Sequence, residues 1–592
     1  MGREELWAQW ERERPRAEDA IWDCAPGYEL IPEVDVPLNH SWFLDGTHSC
    51  PPMDPFSVYE YWARGCGHGL KFINSFFSLP RSYGTEGRVR EGAIYWAFYV
   101  VRDEKEIRER EARFREALRP FLEDFDGIWE KHKHELQSMY QKILSFNPRE
   151  ARNIDYIHLH WDCIESIFRV WEIHFQGMQS SYSAWILLEE ECKRRFGLDD
   201  KSEDFQDMLR GFDNEVYRVD REMWELAKTA VDMGLADVFK EKSAEELTSA
   251  LQLSDRGKEW WQKFMNFLDV RGWRSISSIS IADPYWLEQP STPLRKIKDL
   301  IIKGEAMRKD YILDEKRKEF SAKREAAINK LLEKVPDADK AWFRSLINLA
   351  QRASSYSEEH DLLCEMTHFA VLRRSYLHIG EWLAKNGCID RPEDVMFLIS
   401  PEIEMCLLVP QRNDMRWITR RRRAQWEQWR ARFAKEGEFR PPVYTDRSNI
   451  QEAIALDLLP TLDPIFIKIV VGELPSVSAE EIGADIVGIC GCPGVAEGRA
   501  RVVMQYMDLD QLQPGEILVC PQTSPEWTTA FSIAAGVIAD RGGTLSHAAI
   551  IGREYGVPTI VNTFVACEKI KTGQRIRMDA SKGAVYILDK EQ

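Results

Sequence analysis

The pattern of apolar and polar positions changes along the chain, and the longest uniform stretch is helical in character. From about 102 to 435, charged faces alternate with apolar stripes at three- and four-residue spacing, which predicts amphipathic helices. Heptads are not sustained, so the pattern favours a helical domain over a coiled coil. The clearest predicted helices are 104–125, 154–175, 204–233, 294–335 and 337–386.

The flanking segments follow other patterns. Residues 1–100 are rich in proline and glycine but also in Trp and Phe, so we expect a loop-rich segment packed on the helical domain at 101–435. Prolines interrupt 436–486, which predicts a linker. Residues 487–592 alternate short Val/Ile-rich strands with helices. The predicted fold class is therefore α + α/β, with a large mainly helical N-terminal domain and a smaller C-terminal β/α domain.

Within the C-terminal segment, individual elements can be predicted. Apolar runs predict strands at 536–539, 575–579 and 584–588, and helical patterns cover about 525–535 and 545–555.

Length and charge narrow the class of protein. A chain of 592 residues suggests about three to four domains. The net charge of −18, from 79 basic and 97 acidic residues, disfavours binding to nucleic acid or to an anionic membrane. No apolar run is long enough to span a bilayer, and the charged start of the chain lacks a signal core. We therefore expect a cytoplasmic protein.

The most informative motif follows the predicted strand 536–539. Two glycines turn the backbone there, and a helix pattern then begins with His547 in its first turn. Free N–H groups and the helix dipole favour an anion at this place, and glycines allow a phosphate to approach closely. An isolated histidine after a strand is often a core residue, but here the setting suits a phosphoimidazole. The candidate phosphate-positioning residues are Gly542, Gly543, Thr544 and Ser546.

The string 542–558 resembles the phosphohistidine signature of the swivelling domain in phosphoenolpyruvate (PEP)-utilising enzymes, such as PEP synthase and pyruvate phosphate dikinase. The resemblance extends to 492–503, 517–519 and 523–527. It implies a swivelling β/β/α domain at 487–592 in which His547 is phosphorylated. In the dikinases a threonine that can carry regulatory phosphate precedes the histidine by two positions. Leu545 stands there, so we do not expect control by phosphorylation at this position.

The sequence lacks the motifs of a nucleotide site. It contains no P-loop and no Rossmann glycine fingerprint, and nothing resembles an ATP-grasp domain or a (β/α)₈ barrel. A carrier histidine needs one site that loads it and another that unloads it. We therefore expect a separate ATP-grasp-type subunit to bind ATP and Mg²⁺ and to load His547, and we expect no metal on this chain.

The middle of the chain indicates the acceptor. Residues 358–360, 372–374 and 387–395 resemble the helical part of rifampin phosphotransferase. The N-terminal string 42–52, with 68–70 and Leu79-Pro80, resembles the histidine-bearing subunit of phenylphosphate synthase. That resemblance implies a heteromeric, dikinase-type phosphotransferase that phosphorylates phenol or a cresol-like compound in aromatic degradation.

Transfer to a phenol would be helped by a general base, because a phenol has a pKa of about 10, like tyrosine. His160 and His174 are fourteen residues apart, nearly four helical turns, and so fall near one face. Arg373 and Arg374 could neutralise the transferring phosphoryl group. For each of these histidines, a core or interface role is the more common one. The candidate bases are His158, His160 and His174, with His40, His48, His68, His360 and His368 equally available.

Two alternatives remain open at this stage. The chain could be a phosphohistidine carrier or regulatory subunit without its own acceptor site, with the helical domain and the run Arg420–Arg423 recognising partner proteins. It could instead be a subunit of a rifamycin-type antibiotic phosphotransferase. The exact phenolic acceptor and the stoichiometry are left open by the sequence.

Overall fold

The computed structural model describes residues 28–31, 34–35, 38, 42–45, 51–199, 202–276, 280–436, 478–504, 506–523 and 525–589. Most of the predicted linker 436–486 lies outside the described residues, as do His40 and His48.

The N-terminal segment is more regular than predicted. Two successive helices, the first of them π-helical, pack against a three-stranded antiparallel sheet of order β1-β3-β2. The prediction of a loop-rich segment is therefore wrong for 51–100, where small and aromatic residues alternate in a buried hairpin. These elements are the π-helix Ser57–Cys66, α1 Gly67–Phe77, β1 Phe43–Leu44, β2 Ser82–Arg90 and β3 Ala93–Val100.

The central region is built from helices, as the periodicity predicts, although several predicted helices are divided. The α-helices are α2 Glu104–Leu144, α3 Asn153–Phe196, α4 Glu203–Met208, α5 Glu215–Asp232, α6 Ala236–Glu241, α7 Ala244–Ala250, α8 Asp255–Arg271, α9 Ser291–Ile302, α10 Ile312–Lys334, α11 Lys340–His360, α12 Thr367–Lys385, α13 Ser400–Leu408 and α14 Arg416–Glu436. Short 3₁₀ turns lie at Leu251–Leu253, Glu305–Met307, Pro392–Phe397 and Pro410–Arg412.

Helix α3 is the centre of this region. It has 44 residues, most of its middle is buried, and Gly197 ends it in the left-handed conformation at φ 63°. It packs along α11, and Gly177 allows the close approach: a Cβ there would lie 2.2 Å from Tyr356 Cζ. The phenol of Tyr356 in turn donates to the carbonyl oxygen of His174 over 2.9 Å. This contact fixes the side chains of α3 against the C-terminal end of α11.

A π-helical turn, Asp361–Met366, joins α11 to α12. Its irregular carbonyl groups accept hydrogen bonds from buried tyrosines: Tyr140 donates to Leu363 and Tyr61 to Cys364. The predicted helix 337–386 therefore has an inserted π turn, which an apolar repeat of 3.6 residues does not reveal.

The C-terminal domain contains an eight-stranded sheet of order β4-β11-β10-β6-β7-β8-β9-β5. Strands β6 to β9 are parallel, and the pairings of β4, β5, β10 and β11 are antiparallel. The strands are β4 Ile486–Val487, β5 Ile489–Cys492, β6 Val495–Val502, β7 Ile517–Cys520, β8 Gly536–Ala539, β9 Thr559–Val561, β10 Arg575–Asp579 and β11 Ala584–Ile587. The helices are α15 Ala479–Ile482, α16 His547–Tyr555 and α17 Ala566–Lys569, with 3₁₀ turns at Tyr506–Gln511, Pro525–Ser532 and Ala580–Lys582.

The predicted strands at 536–539 and 575–579 are confirmed, and the combination of a helical region with a sheet-containing C-terminal domain is confirmed as well. The helix predicted at 525–535 is instead the 3₁₀ turn Pro525–Ser532. Pro525 opens this turn, as its fixed φ allows.

The C-terminal domain is docked on the helical region through α16. The Glu554 carboxylate accepts hydrogen bonds from the backbone N–H groups of Gly211 and Phe212 over 2.8 and 3.3 Å. Leu545 is 1% exposed and belongs to the hydrophobic core of the helical region. These contacts set the orientation of the first turn of α16. None of the described helices combines the length and the apolar character needed to cross a bilayer.

Candidate active site

His547 is the first residue of α16, directly after the turn that follows β8. Gly542 makes this turn at φ 103°, a conformation that other residues rarely adopt. Ser546 stands at the N-cap position with extended φ and ψ, and its hydroxyl donates to the carbonyl of Gly543 over 2.8 Å. The imidazole therefore projects from the helix N-terminus, as predicted from the sequence.

The two ring nitrogens of His547 have different surroundings. Nδ1 lies 2.8 Å from Thr523 Oγ1, whereas Nε2 lies 3.8 Å from Glu358 Oε2 of the helical region. The side chain is 11% exposed. Burial, and next the positive charges of Arg274 and Lys296, lower the pKa of His547 to about 3. The docked imidazole is thus neutral, and in the tautomer whose Nδ1–H donates to Thr523 Oγ1 the Nε2 lone pair faces the helical region.

Four buried ionisable side chains of the helical region interact electrostatically with one another here, and Glu358 is the one that contacts Nε2. They come from four separate segments and are at most 4% exposed. We refer to them as the charge cluster: Asp220, Arg274, Lys296 and Glu358.

Burial dominates the electrostatics of the charge cluster. It raises the pKa of Asp220, which Lys296 and Arg274 counteract. It also raises the pKa of Glu358 well above the usual range, with Asp361 adding to the effect and Arg274 opposing it. The contact between Glu358 and the neutral His547 is therefore no ion pair. The cluster contains two cations that a dianionic group could neutralise.

Trp286 forms a platform under both cations. The Arg274 guanidinium carbon lies 5.0 Å from the centre of a Trp286 ring, and Lys296 Nζ lies 5.8 Å from it. Arg274 Nε donates to Met366 Sδ over 3.2 Å. These contacts hold the guanidinium by its stem and face, so its two terminal nitrogens are left for another partner.

Several buried polar atoms at this place have no hydrogen-bond partner within the described part of the chain. Such atoms are rare in proteins, and their concentration at one site indicates a ligand-binding site. They are Arg274 Nη1 and Nη2, Asp220 Oδ2, Tyr217 Oη, Glu358 Oε2, Thr544 Oγ1 and His547 Nε2.

The phosphate-positioning residues predicted from the sequence lie around His547. The Thr544 hydroxyl is buried beside it, whereas the Ser546 hydroxyl is used within the turn. At Gly542 a Cβ would lie 2.6 Å from Ser546 Oγ, so the glycine is needed for the turn itself.

The candidate bases His158 and His160 do not accompany His547. His158 is exposed on α3. His160 is fully buried, with Nε2 2.8 Å from Ser400 Oγ and Nδ1 3.0 Å from Tyr376 Oη. Burial lowers its pKa to about 4. His160 is a core histidine with both nitrogens bonded, which corrects its prediction as a base.

His174 lies elsewhere on α3, facing the end of α11. Its Nε2 is 3.1 Å from Glu365 Oε1, and its ring centre is 4.3 Å from that of His360. This group adjoins the helical turn that carries Glu358. The other predicted histidines have partners away from His547: His68 pairs with Glu172, and His368 bonds Ser166.

Arg373 and Arg374 have structural roles, contrary to the prediction that they bind phosphate. Arg373 forms an ion pair with Glu288 at 2.6 Å and donates to the carbonyl oxygens of Ile281 and Ala282. Arg374 lies over the ring of Trp273, 5.6 Å from its centre. Both arginines hold the segment after α8 in place, and that segment carries Arg274, the cation that does face His547.

The arginine run 420–423 is also used within the helical region. Arg420 pairs with Asp390 at 2.6 Å, and the buried Arg422 forms two hydrogen bonds with Glu402. Arg423 pairs with Asp394. These ion pairs do not favour the alternative that the run recognises a partner.

Sequence reasoning missed Thr523, Asp220, Arg274 and Lys296 as site residues. Thr523 and Glu358 lie in strings that carried family resemblance, which was an available signal. Asp220, Arg274 and Lys296 lie in unremarkable helical sequence, and only the tertiary packing of α5, α8 and α9 brings them together.

Comparisons with known proteins give separate matches for the helical region and for the C-terminal domain. The family model described as the rifampicin phosphotransferase fourth domain matches residues 173–358, which end at Glu358. The model described as the PEP-utilising enzyme mobile domain matches residues 512–583, which include His547. Two sides of the site thus match two different parts of known phosphotransferases.

Three curated relatives are similar to large parts of this chain. An uncharacterised phosphotransferase YvkC of Bacillus subtilis is 28% identical over 390 residues, covering 65% of this chain and 43% of its own length. Chondramide synthase cmdD of Chondromyces crocatus is 26% identical over 590 residues, covering 96% of this chain and 14% of its own length. A rifampicin phosphotransferase of Streptomyces sviceus is 27% identical over 330 residues, 54% of this chain and 34% of its own length.

These similarities support a relationship to the PEP-utilising phosphotransferases. They do not single out phenylphosphate synthase among them. The chain spans less than half of the length of each of these relatives.

Proposed function

We propose that this chain is a phosphotransferase component in which His547 carries a phosphoryl group on Nε2 and passes it to the hydroxyl of a small acceptor at the charge cluster. The observation that carries the proposal is the contact between the two regions: Nε2, which lacks a hydrogen-bond partner among the described residues, faces the buried Glu358 at 3.8 Å. The cations Arg274 and Lys296 adjoin the same place.

The proposed step is balanced as follows. The Nε2–P bond of phosphohistidine breaks as a bond forms between phosphorus and the acceptor oxygen. The acceptor proton goes to Glu358 in its ionised form, which is a stronger base than an exposed carboxylate because burial raises its pKa, and His547 leaves as a neutral imidazole that keeps its proton on Nδ1, opposite Thr523. Arg274 and Lys296 neutralise the transferring group, which is the main protein contribution to phosphoryl transfer.

A phenolic acceptor is the specific form of this proposal. Aromatic side chains line the contact between α16 and the helical region, and the Phe531 ring centre lies 6.3 Å from that of His547. Tyr217 and Tyr555 contact each other at a ring separation of 6.4 Å across the two regions. Flat, apolar walls with one polar end suit a hydroxylated aromatic compound.

The second candidate is a rifamycin-type acceptor. It is favoured by the match of residues 173–358 to a rifampicin phosphotransferase domain and by the similarity to a rifampicin phosphotransferase of Streptomyces sviceus. A carrier without an acceptor site is less favoured, because no ligand would then bond the buried polar atoms, such as Arg274 Nη1 and Nη2, that lack a hydrogen-bond partner among the described residues.

Loading of His547 is proposed to occur on a separate ATP-grasp-type polypeptide that binds ATP and Mg²⁺, in the cytoplasm. The greater length of the relatives supports the need for additional protein, whether as a partner or as further sequence. Incubation of the chain with ATP and a co-purifying ATP-binding protein should label His547. Labelling by ATP without any second protein would contradict a separate loading subunit.

The transfer step can be tested without that partner. Phosphoramidate, a small chemical phosphoryl donor, would load the full chain, and the loaded protein would be mixed with phenols, a rifamycin and aliphatic alcohols. We expect an aryl phosphate and loss of the label from His547. Phosphorylated rifamycin would favour the second candidate, and a label that is unchanged by every acceptor would contradict transfer at this site.

A further inference from the structure

A compact group of metal-ligand side chains lies next to the charge cluster but is not needed for the transfer step described above. The potential ligand atoms of His174, His360 and Glu365 all lie within 4.8 Å of one another. The three residues are 5%, 7% and 4% exposed. Two imidazoles and one carboxylate are a ligand set used by zinc and related ions.

The separations suit a tetrahedral ion. His174 Nε2 lies 3.1 Å from Glu365 Oε1, and the two histidine rings are perpendicular, at 89°, with centres 4.3 Å apart. Ligand atoms about 2.0–2.1 Å from a tetrahedral zinc are roughly 3.3 Å apart. Perpendicular rings allow two nitrogens to point at one centre without stacking.

The π-helical turn explains how the three side chains meet. His360 and Glu365 are five residues apart, and in an α-helix of 3.6 residues per turn their directions would differ by about 140°. In the π-helical segment Asp361–Met366 the repeat is i to i+5, so residues five apart share a face. Such turns are unfavourable in general and are retained at functional sites. This one directs Glu365 at His174.

The orientation of His360 is fixed from behind. Its Nδ1 lies 2.7 Å from the carbonyl oxygen of Tyr356, which can only accept a hydrogen bond. The proton is therefore on Nδ1, and Nε2 carries the lone pair. A backbone carbonyl that holds the outer nitrogen of a histidine is the usual support of a metal ligand.

We propose that His174, His360 and Glu365 bind one divalent cation of the zinc class, through Nε2 of each histidine and a carboxylate oxygen. Three protein ligands leave a position for water or a substrate oxygen. Mg²⁺ prefers oxygen ligands, so this ion is distinct from the Mg²⁺ expected with ATP. The proposed site links α3 to the turn between α11 and α12, and it departs from the expectation that this chain holds no metal. It does not depend on the proposed phosphoryl transfer.

The test measures metal binding directly. The full chain, stripped with a chelator, would be titrated with Co²⁺, whose visible absorption reports nitrogen and oxygen ligands in a tetrahedral site. We expect one equivalent to bind, Zn²⁺ to displace it, and Zn²⁺ to raise the thermal midpoint of unfolding. Absence of stoichiometric binding would overturn the proposal.

Variants assign the site to these residues. His360→Gln and Glu365→Gln should abolish the Co²⁺ absorption and the shift of the thermal midpoint. The matched control is His368→Gln, which replaces a buried histidine whose partner is the hydroxyl of Ser166. Unchanged Co²⁺ binding in Glu365→Gln would contradict the assignment. If the variants do not fold, X-ray absorption at the zinc edge of the wild-type protein tests the assignment instead. Zinc ligands that do not include two imidazoles would contradict the proposed site.

Discussion

The two sides of the docked site contribute different chemistry. The C-terminal domain brings a neutral imidazole and short hydroxyl side chains at the start of a nine-residue helix. The helical region brings the charge cluster, whose members come from separate segments and are buried. Removing a charge from water is costly, so neutral groups suit the C-terminal side of the buried contact. The difference indicates that the helical region, and not the C-terminal domain, supplies the charges of the site.

Glu554 is the exception on the C-terminal side. It is a buried carboxylate of the docking surface, held by two backbone N–H groups of the helical region. It lies at the far end of α16 from His547, so it takes part in docking and not in the transfer step.

The largest effect is expected from removing the carrier itself. His547→Ala should abolish acid-labile phosphorylation and all product formation, because the chain then has no nitrogen at this place to hold the phosphoryl group. Label incorporation from phosphoramidate measures this. His158→Ala is the matched control, since it removes an exposed histidine of α3. Stable label on the His547→Ala protein would show that the carrier lies elsewhere.

The next largest effect distinguishes the role of the helical region from that of His547. Arg274→Met should leave loading of His547 by phosphoramidate intact but slow transfer to the acceptor by roughly 100- to 1,000-fold, as expected for loss of one preorganised charge donor. Single-turnover decay of the label in the presence of acceptor measures it. Arg420→Met is the control, because Arg420 pairs with Asp390 instead. Equal effects of both substitutions would contradict the role of Arg274.

A smaller effect is expected at the docking contact. Leu545→Ala should weaken docking by about 2–5 kcal/mol, the usual range for truncating a buried leucine, because Leu545 packs into the core of the helical region. Hydrogen exchange of the α16 backbone amides measures docking. Leu588→Ala, a truncation at a side chain 45% exposed on the same domain, should change nothing. Unaltered exchange in Leu545→Ala would argue against the docked arrangement.

The mildest effect is on the pH dependence of docking. In the docked state burial, and next Arg274 and Lys296, lower the pKa of His547 to about 3, so its contribution is present above about 6.5 and is lost as the pH falls toward 3, by at most about tenfold per pH unit. The pKa of Glu554 is raised to about 7 by burial, so its contribution is present below about 4.5 and is lost as the pH rises through 7. Docking should therefore be strongest in mildly acidic solution.

Glu554→Gln sharpens this prediction. This substitution should remove the loss of docking at high pH, while docking still weakens at low pH. Fluorescence energy transfer between labels on the two regions would measure docking across the whole pH range. A variant whose high-pH limb is unchanged would show that Glu554 does not control docking.

The same two sides differ in how far the sequence predicts them. On the C-terminal side the functional residues are contiguous, so the turn at Gly542, the strand before it and the place of His547 follow from local patterns. On the helical side Arg274 and Glu358 are far apart in sequence and meet only through tertiary packing. The adjacent pair Arg373 and Arg374 was the more visible signal, yet these side chains brace a neighbouring segment.

The π-helical turn is a second feature that the sequence pattern does not predict. Periodicity identifies 337–386 as helical, but one inserted residue changes which side chains share a face. The grouping of His174 with His360 and Glu365 could therefore not be deduced from helical spacing.

We propose that Nε2 of His547, and not Nδ1, carries the phosphoryl group toward the charge cluster. Nuclear magnetic resonance of the phosphorylated chain labelled with ¹⁵N-histidine tests it, since the coupling between ³¹P and ¹⁵N identifies the bonded nitrogen. We expect coupling to Nε2, with Nδ1 protonated and bonded to Thr523. Coupling to Nδ1 would contradict it, because the phosphoryl group would then point into the C-terminal domain.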